Sequence, residues 1–288
     1  MFEDRSASML NRVWCIDPDT LRKALDTELP DEKPVAQEGD ARQFALTASG
    51  AAIIPITGLM TKGESFATLF GFGTNTLRTR AAVRAAAADD EVTGIMLFID
   101  SPGGEVAGTD ELGEEIRAAN RIKPVFAFIE DLGASAALWV ASQAGTVFSN
   151  RMAEVGSIGV FTVIVDASEA AEREGLKVHV ISTGDFKGSA LGAPVSEEKI
   201  AEVQRIVDAI NIEFKAAVKR GRGMSAKAVD AIADGRVFMA PRAEELGLTD
   251  GVRTLERALI DLDKAVRAKG RASRSRALAA RVEVEKRK

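Results

Sequence analysis

The stretch Gly94-Ile-Met-Leu-Phe-Ile-Asp-Ser-Pro-Gly-Gly-Glu-Val-Ala-Gly108 constrains the fold of this chain more than any other. Ile95 to Ile99 is an unbroken apolar run of strand length, suited to burial on both faces of a parallel sheet. It stops at Asp100-Ser101-Pro102-Gly103-Gly104, where proline cannot continue a ladder and two glycines permit backbone angles that other residues avoid. A helical pattern follows from Ala107 to Asn120, with Leu112, Ile116 and Ala119 on one stripe. A buried strand therefore delivers a bare backbone loop to the start of a helix. Such a junction can present free N–H groups to an anion or a developing oxyanion. The plain alternative is a tight strand-to-helix turn without chemistry.

Composition removes several kinds of chemistry. The 288 residues contain a single cysteine, Cys15, and a single histidine, His179. A His/Cys metal centre, a disulfide framework and a Cys–His dyad are disfavoured, and Ser–His–Asp chemistry survives only with His179 as base. No metal and no cofactor are expected. No apolar run approaches the ~18–20 residues of a membrane span, and the N-terminal Met-Phe-Glu-Asp-Arg does not read as a signal peptide. A cytoplasmic protein without membrane contact is expected. The net charge of −5 is unevenly spread. Lys264 to Lys288 holds ten Lys/Arg against Glu283 and Glu285, a net of +8, which leaves −13 on the preceding 263 residues. An acidic body without tyrosine argues against nucleic-acid binding, except through the basic tail.

Taken in order, Pro18 to Leu25 reads as a short helix capped by Asp17, after the segment Trp14-Cys-Ile-Asp-Pro18. Leu29 to Asp40 reads as a linker. Ala51 to Gly58 is a strand in which Pro55 marks an edge or a bulge, residues 61–75 read as a mobile apolar loop, and Thr79 to Ala88 as a helix. Pro124 to Ile129 is a second buried strand, leading through Glu130-Asp131-Leu132-Gly133-Ala134-Ser135 into a helix from Ala136 to Ala144. Strands are expected at 145–148, at Val155 to Ile164 and at Lys177 to Ser182, with a helix from Ala167 to Glu174 between the last two. The remainder is helical: a long helix from Ser196 with apolar residues at 200, 203, 207, 210, 214 and 218, shorter ones from Ser225 and Ala240, a last one over 252–268, and a loose basic tail over 269–288. This alternation is that of an α/β domain with a helical C-terminal part. Three segments result: residues 1–50, a main domain over 51–252, and residues 253–288.

Ser135 stands at the junction of a buried strand and a helix, where a hydroxyl is exposed and the N–H of Ala136 points out of the helix start. A capping serine would occupy the same place. A serine needs a base, and with histidine nearly absent the candidate is a lysine such as Lys187 in Thr183-Gly-Asp-Phe-Lys187-Gly-Ser. Spacing alone does not separate this role from that of an exposed loop lysine.

The ordered set Asp100-Ser-Pro-Gly-Gly104, Ala134-Ser-Ala136, Gly156-Ser-Ile-Gly-Val160 and Gly184-Asp-Phe-Lys187 resembles the signal peptide peptidase A family of serine–lysine peptidases, over about residues 51 to 252. Order and spacing both agree, with 31 residues from Gly104 to Ser135, 22 on to Ser157 and 52 from Ser135 to Lys187. The resemblance implies the Clp-protease/crotonase fold, a repeated strand and helix crossover domain. It implies Ser135 as nucleophile, Lys187 as general base, Ser157 as the group orienting the lysine, and the N–H groups of Gly104 and Ala136 as oxyanion hole. Gly103, Gly156, Ile158 and Gly159 are expected along the substrate, because the Gly103-Gly104 loop and the strand Gly156–Ile164 should offer unpaired edges to which an extended peptide can add as a strand. The residue after the nucleophile is Ala136, where the family more often has glycine. The N-terminal Trp14 segment and the charged tail look most like the prohead proteases of tailed phages, which cleave scaffold and coat proteins. A homo-oligomer is expected as well, since a single domain of this family buries little of its active-site rim and the helices Ser196–Lys219 and Ser225–Ala233 carry apolar stripes that need a partner. A bacterial peptidase of the signal-peptide-degrading kind is the alternative. A crotonase-fold acyl-CoA enzyme is a weaker one, using Glu105, Glu130 or Asp131 as acid or base.

Overall fold

A computed structural model of the chain describes residues 14–16, 43–69, 71–188, 190 and 192–286. The expected helix from Pro18 to Leu25 and the linker over 29–40 lie outside the described residues. In chain order the elements are β1 (Trp14–Ile16), β2 (Ala45–Leu46), β3 (Ala51–Thr57), β4 (Leu59–Thr61), α1 (Phe66–Leu69), β5 (Gly73–Asn75), α2 (Thr76–Ala88), β6 (Gly94–Ser101), β7 (Gly103–Glu105) and α3 (Thr109–Ile122). There follow β8 (Val125–Ala134), α4 (Ala136–Ala141), β9 (Thr146–Ser149), β10 (Glu154–Gly156), α5 (Ser168–Arg173), α6 (Glu197–Arg222), α7 (Ala226–Asp230), β11 (Val237–Met239), α8 (Ala240–Glu245), β12 (Gly251–Val252) and α9 (Leu255–Lys286). The chain divides into two units. The larger comprises residues 15–159 and 215–288, the smaller residues 1–14 and 160–214.

The larger unit is a mixed α/β structure around a sheet ordered β11-β10-β8-β6-β3-β2. β3, β6, β8 and β10 run parallel, while β2 and β11 are antiparallel at the two margins. The strand β6 is buried almost throughout, as its apolar run requires. Side chains of a strand alternate between faces, which sorts the core into two layers. Met96, Phe126, Phe128 and Phe148 share one face with Ala258 and Leu262 of α9. Ile95, Leu97, Ile99, Val125, Ala127 and Ile129 form the other face, fully buried on the side of α2, α3 and α4. Gly94 lets α9 approach the sheet, since a Cβ there would lie 3.0 Å from Val266 Cγ2. Pro55 sits where expected: β2 reaches only Ala52 and Ile53, so no described strand pairs with β3 on that side at Pro55. A smaller sheet is ordered β1-β7-β4-β5.

Several expectations need correction. Residues 61–75 are not simply a loop: they contain α1 and β5, and Asn75 caps α2 by accepting the N–H groups of Leu77 and Arg78. Glycine and phenylalanine density hid these short elements. The strand expected to end at Ile129 runs to Ala134, because its second half finds a new partner. Phe126 to Ile129 pair with β9, and Leu132 to Ala134 with β10. The strand expected from Val155 to Ile164 stops at Gly156, where φ reaches +144°. The tail is not loose, since α9 continues to Lys286. Ala, Arg, Leu and Glu, which favour helix, dominate it, and Gly270 is its one glycine, with no proline. Lys269 also ties α9 to the end of α3, its Nζ donating to the carbonyls of Asn120 and Arg121 at 3.2 and 3.0 Å.

In the smaller unit, Trp14 and Phe161 exchange both backbone hydrogen bonds, at 2.8 and 3.0 Å. The half-buried strand expected at Lys177 to Ser182 is absent. This segment is irregular and largely exposed, with Ile181 96% accessible. Alternation of apolar and polar residues does not make a strand without a neighbouring ladder. Among the described residues, no helix is long and apolar enough to cross a membrane.

Leu262 is fully buried between α9 and the sheet. Leu262→Ala is expected to lower unfolding free energy by about 2–5 kcal/mol, measured by urea denaturation. A truncation meant to spare the body should fall after Lys269 rather than after Leu262.

Candidate active site

The site follows from register. Ser101 pairs with Gly133, Gly133 with Val155 and Ala134 with Gly156, so the parallel strands β6, β8 and β10 end side by side. The chain leaving each of them carries Gly103-Gly104, Ser135 and Ser157 respectively. Carboxyl ends of adjacent parallel strands are where open α/β sheets place their ligands.

Ser135 has φ 55° and ψ −118°, and Ser157 has φ 54°. Among the described residues these two serines are the only non-glycine residues with positive φ. Each such conformation costs on the order of 1–3 kcal/mol and persists only where its surroundings enforce it. The enforcement is visible. The Ser135 N–H donates to the Gly156 carbonyl at 2.8 Å, and the Ser135 carbonyl accepts from the Trp139 N–H at 2.9 Å. The Ser157 N–H donates to the Arg236 carbonyl at 2.8 Å. The simple capping role for Ser135 is excluded, because its side chain makes no cap hydrogen bond to α4. Its hydroxyl is buried without a protein partner, an arrangement that costs free energy unless something else engages it. Ala136 is the first residue of α4, and the first N–H groups of a helix have no intrahelical acceptor.

Gly103 and Gly104 are held by a residue that the sequence reading passed over. Ser101, fully buried, donates its hydroxyl to the Gly58 carbonyl at 2.7 Å and accepts the Gly103 N–H at 3.1 Å. A polar residue directly before Pro-Gly-Gly was the available signal. Gly103 has φ 96°, and a Cβ on Gly104 would lie 1.9 Å from the Met60 carbonyl oxygen, so only glycine lets β7 pair with β4 here. Gly156 is constrained likewise, its would-be Cβ 2.7 Å from the Arg236 carbonyl. It is paired on both sides, with Ala134 and with Val237, and so offers no open edge for a peptide. Ile158 is fully buried and its carbonyl accepts the Gly235 N–H at 3.2 Å, beside Gly159.

Carboxylates surround this edge in structural roles. Glu105 is 4% exposed and accepts the Lys62 backbone N–H at 3.0 Å, a brace for the small sheet. Asp100 is held above the usual carboxylate range, first by burial and then by the charge of Asp131, while the Leu132 N–H works the other way. Among the described residues no group of His, Cys, Asp and Glu is placed to hold a metal. Lys187 and His179 lie in the smaller unit. Lys187 is exposed in a turn, its N–H donating to the Gly184 carbonyl at 3.0 Å. His179 is also exposed and lines a cavity of about 270 Å³ with Glu172, Lys177 and Lys199.

The family model described as Peptidase family S49 matches residues 117–269, a span that includes Ser135, Ser157 and Lys187. A protein of Methanocaldococcus jannaschii provisionally named a protease is 32% identical over 178 residues, 61% of this chain and 57% of its own length. Capsid assembly protease C of Escherichia phage lambda is 30% identical over 205 residues, 70% of this chain and 46% of its own. The chloroplastic serine protease SPPA of Arabidopsis thaliana is 28% identical over 180 residues, 62% of this chain and 26% of its own. In none of the three does the match span two thirds of the relative.

Two outcomes test this geometry. Ser101→Ala leaves the Gly58 carbonyl and the Gly103 N–H without their partner, and an unfolding free energy lower by about 1–3 kcal/mol is expected in denaturant titrations. Asp100 binds its proton more tightly folded than unfolded, so its contribution to stability is present at low pH and lost as pH rises through its raised folded pKa. Asp100→Asn should therefore be more stable than the parent at pH 7. Thermal melts across a pH series should show that gain shrinking as the pH falls toward the ordinary aspartate value of about 3.9.

Proposed function

The chain belongs to peptidase family S49, and from that premise we propose that it hydrolyses peptide bonds with Ser135 as nucleophile and Lys187 as general base. The observation that carries this reading is the strained backbone of Ser135, whose buried hydroxyl neither caps α4 nor meets a protein partner. The Clp-protease/crotonase fold is the corresponding architecture, and the largely parallel sheet is consistent with it.

Unprotonated Lys187 takes the Ser135 hydroxyl proton as Oγ attacks the scissile carbonyl, and the N–H groups of Gly104 and Ala136 receive the oxyanion. The lysine ammonium, oriented by Ser157, gives its proton to the leaving amine, which departs from the acyl-enzyme. Water then attacks the ester with Lys187 again as base, releasing the carboxylic acid and restoring Ser135. Gly103 borders the peptide, while Gly156, closed on both sides by its ladder partners, and the buried Ile158 back the site instead of receiving the chain.

The finer reading is a capsid or scaffold maturation protease acting in the cytoplasm on flexible polypeptides. The similarity to the lambda capsid protease over most of the chain supports it, as does a basic tail on an acidic body. A signal-peptide-peptidase role is the second reading, favoured by the similarity to SPPA. Assembly into a homo-oligomer is proposed as well, because Ile200, Ile206 and Ile212 of α6 are exposed.

Ser135→Ala is expected to abolish both peptide hydrolysis and labelling by a fluorophosphonate, with the label mapping to Ser135 in the parent. Lys187→Ala should lower kcat/KM by about 10²–10⁴-fold, the usual cost of losing a general base. His179→Ala should leave it unchanged. Full activity in the lysine variant, or a dead histidine variant, would overturn the dyad.

A further inference from the structure

We infer that the chain's own strand β1 occupies the β7 edge where an extended substrate is expected to add, so that a peptide gains Gly104 by displacing Trp14–Ile16. The inference rests on the peptidase reading for what the docked peptide is used for. In the smaller sheet β7 lies between β4 and β1. Without β1, Gly103–Glu105 would be an edge strand presenting unpaired backbone groups beside the residue assigned to the oxyanion. An extended peptide binds to such an edge by adding itself as a strand.

The other edge expected to receive substrate is unavailable, since Gly156 is already paired with β8 and β11. Of the two edges expected to receive a peptide, that leaves β7, and β1 is already its neighbour in the sheet. It is three residues long and far from β7 in sequence. Its alternate side chains Trp14 and Ile16 share one face, and both are buried, to 1% and 2% exposure. Backbone ladder bonds secure the register, and two apolar side chains in pockets supply the selectivity. The ligand chemistry follows directly: an extended, unstructured peptide with large apolar side chains two residues apart. The Trp14–Phe161 bonds and the burial of Trp14 and Ile16 hold β1 in place, so a peptide that exchanges with it must bring apolar side chains of its own to the vacated pockets.

The test uses the full chain. Ile16→Asp places a charge where an apolar side chain is buried and should release β1. Relative to the parent, kcat/KM for an unstructured apolar decapeptide is expected to rise at least about tenfold, mainly through a lower KM, because the competent state is no longer masked. A synthetic peptide spanning residues 11–19 should then inhibit the variant competitively. An unchanged kcat/KM in a variant that keeps its thermal transition would overturn the inference. Should the variant lose that transition, the decision passes to the unsubstituted chain labelled with 5-fluorotryptophan, with Trp14→Phe assigning the resonance. Titration with the decapeptide should move the Trp14 signal from its buried position, and a Trp14 signal that stays fixed at saturating decapeptide sinks the docking site. Absence of fluorophosphonate labelling at Ser135 would sink the peptidase reading, and the same fluorine titration would still decide the docking site.

Discussion

The hydrogen bond from the Ser135 N–H to the Gly156 carbonyl, 2.8 Å long, joins the end of β8 to the end of β10. It extends the pairing of Ala134 with Gly156 by one step, from the last residue of β10 to the first residue beyond β8. The step turns the backbone at Ser135 to positive φ, and the neighbouring Ser157 is turned in the same sense by its own bond to Arg236. Both serines are thereby fixed in conformations that isolated residues avoid. Loss of the β8–β10 register would relax them together. Residual strain held by a surrounding ladder is the usual condition of a preorganised group.

Close backbone approach is the second constraint. Gly104 against Met60 and Gly156 against Arg236 leave no room for a Cβ. Behind the nucleophile, Gly221 of α6 would bring a Cβ to 2.0 Å from the Ser142 carbonyl, and Gln143 Nε2 donates to the Ala217 carbonyl at 3.0 Å. The short helix α4 is thus pinned at its far end by the last turns of α6, while its near end carries Ser135 and Ala136. Rigid support on both ends keeps the first N–H groups of the helix aimed in one direction, which is what oxyanion stabilisation requires.

The smaller unit differs in character. Its chain from 176 to 188 is mostly exposed and built on turns, and it carries Lys187. The proposed chemistry takes its nucleophile from a close-packed strand end and its base from a turn. Loops carry function on scaffolds that hold them, and the burial of Ser135 contrasts with the exposure of Lys187 in this respect.

The apolar run Ile95 to Ile99, the breaker Asp100-Ser-Pro-Gly-Gly104 and the Gly133-Ala-Ser135 junction were legible because local chemistry dictates them. A five-residue apolar run is buried, proline and glycine end a ladder, and a helix start leaves N–H groups free. The long amphipathic α6 was legible for the same reason, its apolar residues recurring every three or four positions. Other features depend on partners far away in the chain and have no local signature. β8 extends to Ala134 only because β10 lies beside it, and the strand from Val155 ends at Gly156 although the apolar pattern continues. The positive φ of Ser135 and Ser157 comes from carbonyls at positions 156 and 236, and the brace of Ser101 reaches back to Gly58. Trp14–Ile16 reads as a short apolar segment before a helix, yet it becomes a strand because β7 has an edge to offer. Residue types and their order determine which chemistry the chain can hold. Long-range ladder bonds, which no window of sequence contains, decide which backbone groups are left free to perform it.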